Sequence, residues 1–141
     1  MGTYFNPSNK GFRKASTDEI YIDKSGLLNI LNKRLGTEKN CISVSHARRF
    51  GKSQAARMID AYYSRGCDSR ELFSKLKIAE LPTFEDELNK NTVIYIDVQW
   101  VNSLAKGRGL EKEIVSFMQE QVIEELLEIY PNEIDEGETS L

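Results

Sequence analysis

Cysteine is scarce in this chain. Cys41 and Cys67 are the only two. They lie far apart and lack metal-ligand spacing, so neither a disulfide framework nor a zinc site is indicated. Cys41 sits in an apolar run and reads as a small core residue. Cys67 follows Gly66 in a turn and reads as a free thiol. A reducing cytoplasm is the simplest compartment for both. Histidine is scarcer still, with His46 alone. No apolar run approaches the roughly 20 residues of a membrane span, and the first residues carry no signal-peptide core. Met1-Gly2 would suit a myristoylation start, but Asn6 stands where that signal needs Ser or Thr. A basic excess is also missing. Nineteen Lys and Arg oppose 22 Asp and Glu, for a net charge of −3, which argues against a general nucleic-acid binder. Internal repeats and low-complexity segments are absent.

What is there fits one soluble globular domain: 141 residues, 29% charged and 40% hydrophobic. Charge is uneven. Arg48, Arg49, Lys52 and Arg57 crowd one region, while Glu120 to Glu138 is acidic. Residues 1–19 are polar and turn-rich and read as an N-terminal arm. Asp23 looks like the N-cap of a helix carrying Leu27, Leu28, Ile30, Leu31 and Leu35, ended by Gly36. Cys41 to Ser45 reads as a buried strand, and Lys52 to about Arg65 as a helix. Two short helical pieces follow, over 69–75 and 84–88, separated by Pro82. Thr92 to Val98 is nearly continuous in apolar and β-branched residues, as strands covered on both faces are. A linker over 103–109 leads to the longest helix, 110–130, with Leu110, Ile114, Phe117, Met118, Val122, Leu126 and Ile129 on one stripe. Pro131 stops it, and 132–141 reads as an acidic tail or continuation.

Alternating strands and helices predict an α/β fold with a parallel sheet flanked by helices. Two strands are few for such a sheet. The long apolar stripe also has little left to pack against. The expectation is therefore a partial domain over 20–131, completed by further chain or by a protein partner.

The stretch His46-Ala47-Arg48-Arg49-Phe50-Gly51-Lys52-Ser53 carries the chemistry. An apolar strand, a short loop, Gly-Lys-Ser and a helix make up a phosphate-binding loop of the Walker A type. Amides at a helix start point outward, and the helix dipole favours an anion there. Gly51 lets the backbone approach phosphate oxygens without a Cβ in the way. Lys52 places a compact positive charge on the β- and γ-phosphates and is the candidate catalytic residue. The Ser53 hydroxyl is placed to ligate Mg²⁺. Gln54 follows, larger and more polar than the residue usual there. His46 replaces the first glycine of the full pattern, and histidine is among the residues that tolerate positive φ. His46 reads as a loop-geometry residue rather than a base or metal ligand. Ala47 is small, and Arg48 and Arg49 add charge at the crest. Residues 46–54 are thus the candidate nucleotide site, for ATP with Mg²⁺.

The segments Tyr21-Ile22-Asp23-Lys24-Ser25-Gly26-Leu27, Ser43 to Ser53, Ala61 to Gly66 and Leu72 to Ile78 resemble the N-terminal half of the predicted AAA-ATPase-like family of bacteria. The resemblance runs from about residue 4 to the end. Its motif ending Arg-Arg-Phe-Gly-Lys-Ser is fairly specific. Family members commonly have Arg-Pro where this chain has His46-Ala47, so the loss of the first glycine is shared. The resemblance implies a P-loop NTPase domain, often fused to a PD-(D/E)xK nuclease-like domain. It also implies a Walker B strand ending in Asp-Glu beyond this chain, so that hydrolysis by the chain alone would be weak or absent.

Asp97 ends the second strand as a Walker B aspartate would, but Val98-Gln99 follows where a glutamate is expected. It therefore reads as a strand-end polar residue rather than a metal ligand. Asp23-Lys24 precedes the loop strand and could approach the nucleotide, with helix capping by Asp23 the simpler reading. Trp100, Tyr62, Tyr63 and Tyr95 read as core or rim. The leading function is nucleotide binding within an ATPase. The alternative is a regulatory or interaction module whose degenerate loop binds no nucleotide. Nucleic-acid contact through Arg48, Arg49 and Arg57 is the weakest reading.

Overall fold

The computed structural model describes residues 2–45, 47–110 and 112–131. Its regular elements are helices: α1 Lys10–Ser16, α2 Gly26–Asn32, α3 Lys52–Tyr63, α4 Arg70–Phe73, α5 Phe84–Glu87, α6 Val98–Gly107 and α7 Ile114–Ile129. A 3-10 turn covers Lys77–Glu80. The chain divides into two compact units, residues 6–93 and residues 2–5 together with 94 onward.

The first unit is built around α3. Its Met58, Ala61, Tyr62 and Tyr63 enter a core shared with Phe12 of α1, Leu28 of α2 and Phe73 of α4. Tyr62 is fully buried. It meets Tyr63 and Phe73 edge to ring at centroid distances of 4.9 and 5.3 Å. Its hydroxyl donates to the Phe84 carbonyl at 2.8 Å, which satisfies the one polar atom such a burial would strand. Phe12 stacks on Phe73 at 4.9 Å. Phe12, the one aromatic within α1, is what fastens that helix to the core. The end of α3 is capped from afar. Asn89, at φ 57°, donates from Nδ2 to the Ala61 and Ser64 carbonyls and accepts from the Ser69 amide. The carbonyls that a helix C-terminus leaves without partners are thereby paired.

In the second unit Val101 and Ala105 of α6 pack with Phe117 and Val122 of α7 and with Tyr4 and Phe5. The Glu125 carboxylate accepts from the Tyr4 and Phe5 amides at about 3.0 Å. The expected apolar stripe of α7 is real at Phe117 and Val122, whereas Ile129 is exposed.

The expected α/β sheet is not found. Among the described residues there is no β-strand. Isolated bridges join Ser64 to Asn91 and Phe5 to Ile94. The 41–45 run has no regular secondary structure and is solvent-exposed, with Ile42 and Val44 open to water. Ile94 and Ile96 are exposed as well. β-branched runs favour an extended backbone locally, but a strand exists only where a neighbour pairs its amides and carbonyls, and that neighbour is non-local. The fold class is therefore corrected from a parallel sheet flanked by helices to a helical chain with single bridges.

Other local readings change with it. Cys41 is exposed, not core, because its run has no covering layer, and both thiols are free. The helix expected to reach Leu35 stops at Asn32, and Gly36 (φ 71°) lies in the turn beyond. Asp23 does not cap it. Ser25 holds that position, and Asp23 instead accepts from the Ser25 amide. Val98 opens α6 rather than ending a strand, so most of the 103–109 linker is helical. Residues 132–141 lie outside the described residues.

Candidate functional site

The loop and the start of α3 come together from the chemistry of one glycine. Gly51 is the N-cap of α3 at φ 79°, ψ 26°, a left-handed conformation that glycine adopts without penalty. From there the chain turns into the helix, and the Ala55 amide closes the first turn on the Gly51 carbonyl at 2.9 Å. Lys52, Ser53 and Gln54 form that first turn. Their amides have no intrahelical acceptor in any α-helix. The turn carries no acidic side chain to neutralise its positive dipole end. Arg49 also takes positive φ, 67°, so the crest is tightly wound.

Lysine charge converges on this turn from two directions. Lys52 Nζ donates to the Ala47 carbonyl at 3.0 Å and so arches over the loop. Lys24 Nζ donates to the Phe50 carbonyl. A Cβ added at Gly51 would lie 2.7 Å from Lys24 Nζ, so the absence of a side chain there is what lets the second ammonium approach. Ala47, Arg48, Arg49, Phe50, Lys52, Ser53 and Gln54 are all exposed. His46 lies outside the described residues.

Beside the loop opens a cavity of about 400 Å³. That is within the roughly 300–1,000 Å³ of small-molecule sites. Its wall runs from Phe12 of α1 through Tyr21 and Ile22 to Met58 of α3, and its rim is Lys24 and Gly51. The wall is mostly apolar and the rim is cationic, a combination suited to a ligand with a flat apolar part and an anionic tail. Burial and the nearby Asp23 carboxylate push the Tyr21 phenol up to about 12, so it stays a neutral donor at physiological pH. Asp18 is the carboxylate among the lining residues.

The described residues fit a polyphosphate. The glycine cradle would be filled by any Cβ, the donors are amides and ammonium groups, and the Ser53 hydroxyl sits on the first turn. They offer little to a metal alone, since no group of three or more His, Cys, Asp or Glu side chains suited to a metal occurs among them. Asp97 belongs elsewhere. Its Oδ1 accepts from the Gln99 and Trp100 amides at 3.0 and 3.1 Å, so it is a helix cap. Tyr62 and Tyr63 are core, and Trp100 is at the rim of the second unit, packed on Tyr4 at 5.8 Å.

The cavity wall was not legible from loop spacing. Its signal lay in Tyr21-Ile22-Asp23-Lys24, a segment that resembles the family and whose Asp23-Lys24 pair reads as able to approach the nucleotide, with capping by Asp23 the simpler reading. Among the described residues no helix is long and apolar enough to cross a membrane. No curated protein and no solved structure matches the chain. The match that does emerge is to a family model, described as predicted AAA-ATPase. It covers residues 10–140, nearly the whole chain, and the chain belongs to that family.

Proposed function

We propose that the chain binds a nucleoside triphosphate, taken as ATP, through the Gly51-Lys52-Ser53 turn. One observation carries this reading: a left-handed Gly51 opening an acid-free helix start, with Lys24 and Lys52 converging on it beside an apolar cavity. The phosphates would rest on the first-turn amides, and Lys52 would neutralise the outer ones. The base and sugar would take the wall of Phe12, Tyr21, Ile22 and Met58. Arg48 and Arg49 stand exposed at the crest, available to the outer phosphates or to a protein partner. Mg²⁺ would be held from the loop through the Ser53 hydroxyl and would supply charge withdrawal from the phosphates.

The proposal is for binding. Turnover by this chain alone is expected to be weak or absent, because Asp97 is committed to capping α6 and no acidic residue stands in the first turn of α3. Calorimetric titration with Mg²⁺-ATP, run beside Lys52→Ala, tests the reading. Saturable heat from the wild type and a marked loss in the variant are expected. Equal heats from both, or none from either, would favour the alternative of a regulatory module whose loop binds no nucleotide. The arch of Lys52 back onto the Ala47 carbonyl is the observation on that side. A lysine ammonium has three donors, however, so this one bond does not bar a phosphate.

A further inference from the structure

We infer that Lys24 is a second phosphate-binding lysine of this site, delivered from outside the loop by a purpose-built turn. The inference rests on the nucleotide reading above and extends it to a residue that the loop motif does not contain.

The argument begins with the neighbours of Lys24. Asp23 Oδ1 accepts from the Ser25 amide at 2.8 Å, closing a tight turn around Lys24. Asp23 Oδ2 accepts from the Lys77 amide at 2.9 Å. Ser25, fully buried, accepts at Oγ from the Ile78 amide at 3.1 Å. Both residues flanking Lys24 are thus bolted to the start of the 3-10 turn. Burial works against the Asp23 charge, but the Lys77 and Ser25 hydrogen bonds outweigh it. The carboxyl is held below its usual range, and the anchor stays ionised at neutral pH. The first core runs directly behind this anchor through Leu28 and Ile78.

From that fixed base the Lys24 side chain reaches the loop. Its Nζ meets the Phe50 carbonyl and stands 2.7 Å from where a Cβ of residue 51 would be. Among the described residues no carboxylate pairs with it. An ammonium held at a helix start whose first turn carries no acidic side chain favours an anion there. Bonding one carbonyl uses one of three donors. Lys24 can therefore hold the Phe50 carbonyl and receive a phosphate oxygen together. Its place at Gly51, between the loop and the cavity, assigns it to the inner phosphates rather than the terminal one.

The test uses the full chain and three proteins: wild type, Lys24→Ala and Lys24→Gln. Glutamine keeps a donor for the Phe50 carbonyl and removes the charge. Affinities for Mg²⁺-ATP and Mg²⁺-ADP are measured by calorimetry, and thermal unfolding without nucleotide reports the fold. Both variants are expected to bind both nucleotides about 10- to 100-fold more weakly, by similar factors, with an unchanged melting temperature. Wild-type affinity in both variants would overturn the inference. So would wild-type affinity in Lys24→Gln alone, because Lys24 would then be only a brace for the loop. A loss confined to ATP would overturn the assignment to the inner phosphates. If either variant fails to fold, the other decides. A wild type that binds no nucleotide sinks the loop reading and this inference with it. A wild type that binds beside unaffected variants sinks this inference alone.

Discussion

The two ends of α3 are made of opposite material. The N-terminal turn, Lys52 to Gln54, is exposed, and the loop leading into it is basic and wound through positive φ at Arg49 and Gly51. The C-terminal turns, Met58 to Ser64, are almost wholly buried and knitted to Phe73, Phe84 and Asn89. One helix thus carries the proposed site at its open end and an anchor at its closed end. The consequence is a separation of effects. Changes at the closed end should cost stability, and changes at the open end should cost binding at little cost in stability. The loop is also tied to a helix whose far end is buried in the core.

The sharpest way to break the comparison is at Tyr62. Tyr62→Ala removes a fully buried ring and leaves the Phe84 carbonyl without this donor. A loss of about 3–5 kcal/mol in urea unfolding is expected. A loss under about 1 kcal/mol would show that the closed end is not an anchor.

Asp60 tests the same end through pH. Its carboxyl is 6% exposed, and among the described residues Oδ1 has no hydrogen-bond partner. Burial pushes the group up from an ordinary 3.8 to about 7. Between those values the folded chain holds a proton that the unfolded chain has released. The contribution of Asp60 to stability is therefore greatest below pH 4, falls as pH rises towards 7, and is flat above. Solvent screening of a partly buried group reduces the full fall to a few kcal/mol at most, about 1–3 kcal/mol. Asp60→Asn is expected to flatten that slope and to exceed the wild type in stability at pH 8. Parallel pH profiles for the two proteins would remove Asp60 as the cause.

At the open end, Lys52→Ala is expected to weaken Mg²⁺-ATP binding by about 10- to 100-fold and to change unfolding free energy by less than about 0.5 kcal/mol. A large stability loss would mean that the loop is part of the core after all. The smallest stability effect with a clear sign is Gly51→Ala. A left-handed non-glycine residue costs about 1 kcal/mol. The new Cβ also displaces the Lys24 ammonium, so binding should fall while the melting temperature drops by only a few degrees. Unchanged binding would show that the Lys24 approach has no consequence.

How much of this could be read in the residues depends on the range of the forces involved. Gly-Lys-Ser as a helix start was legible because a left-handed glycine, outward amides and helical spacing are properties of a few consecutive residues. The same holds for the apolar faces of α3 and α7. The apolar runs at 41–45 and 92–97 misled because their composition speaks for a strand and is silent about a partner. From the sequence Asp97 reads as a strand-end polar residue and its helix is missed, since Val98 reads as β-branched strand until the Gln99 and Trp100 amides are seen on its carboxylate. α1 was hidden because one aromatic, Phe12, fastens it, and one residue makes no periodic pattern.

The sequence by itself determined the loop chemistry, the helix that follows it, the lack of basic excess and the family segments, all of which reside in short-range order and composition. Only the tertiary structure decided that Lys24 meets Gly51, that Phe12, Tyr21 and Met58 wall a cavity beside it, and that the apolar runs form no sheet among the described residues. Those outcomes depend on which distant segments meet. Hydrophobic burial and backbone pairing reward such meetings only after the chain has folded, so no local pattern records them.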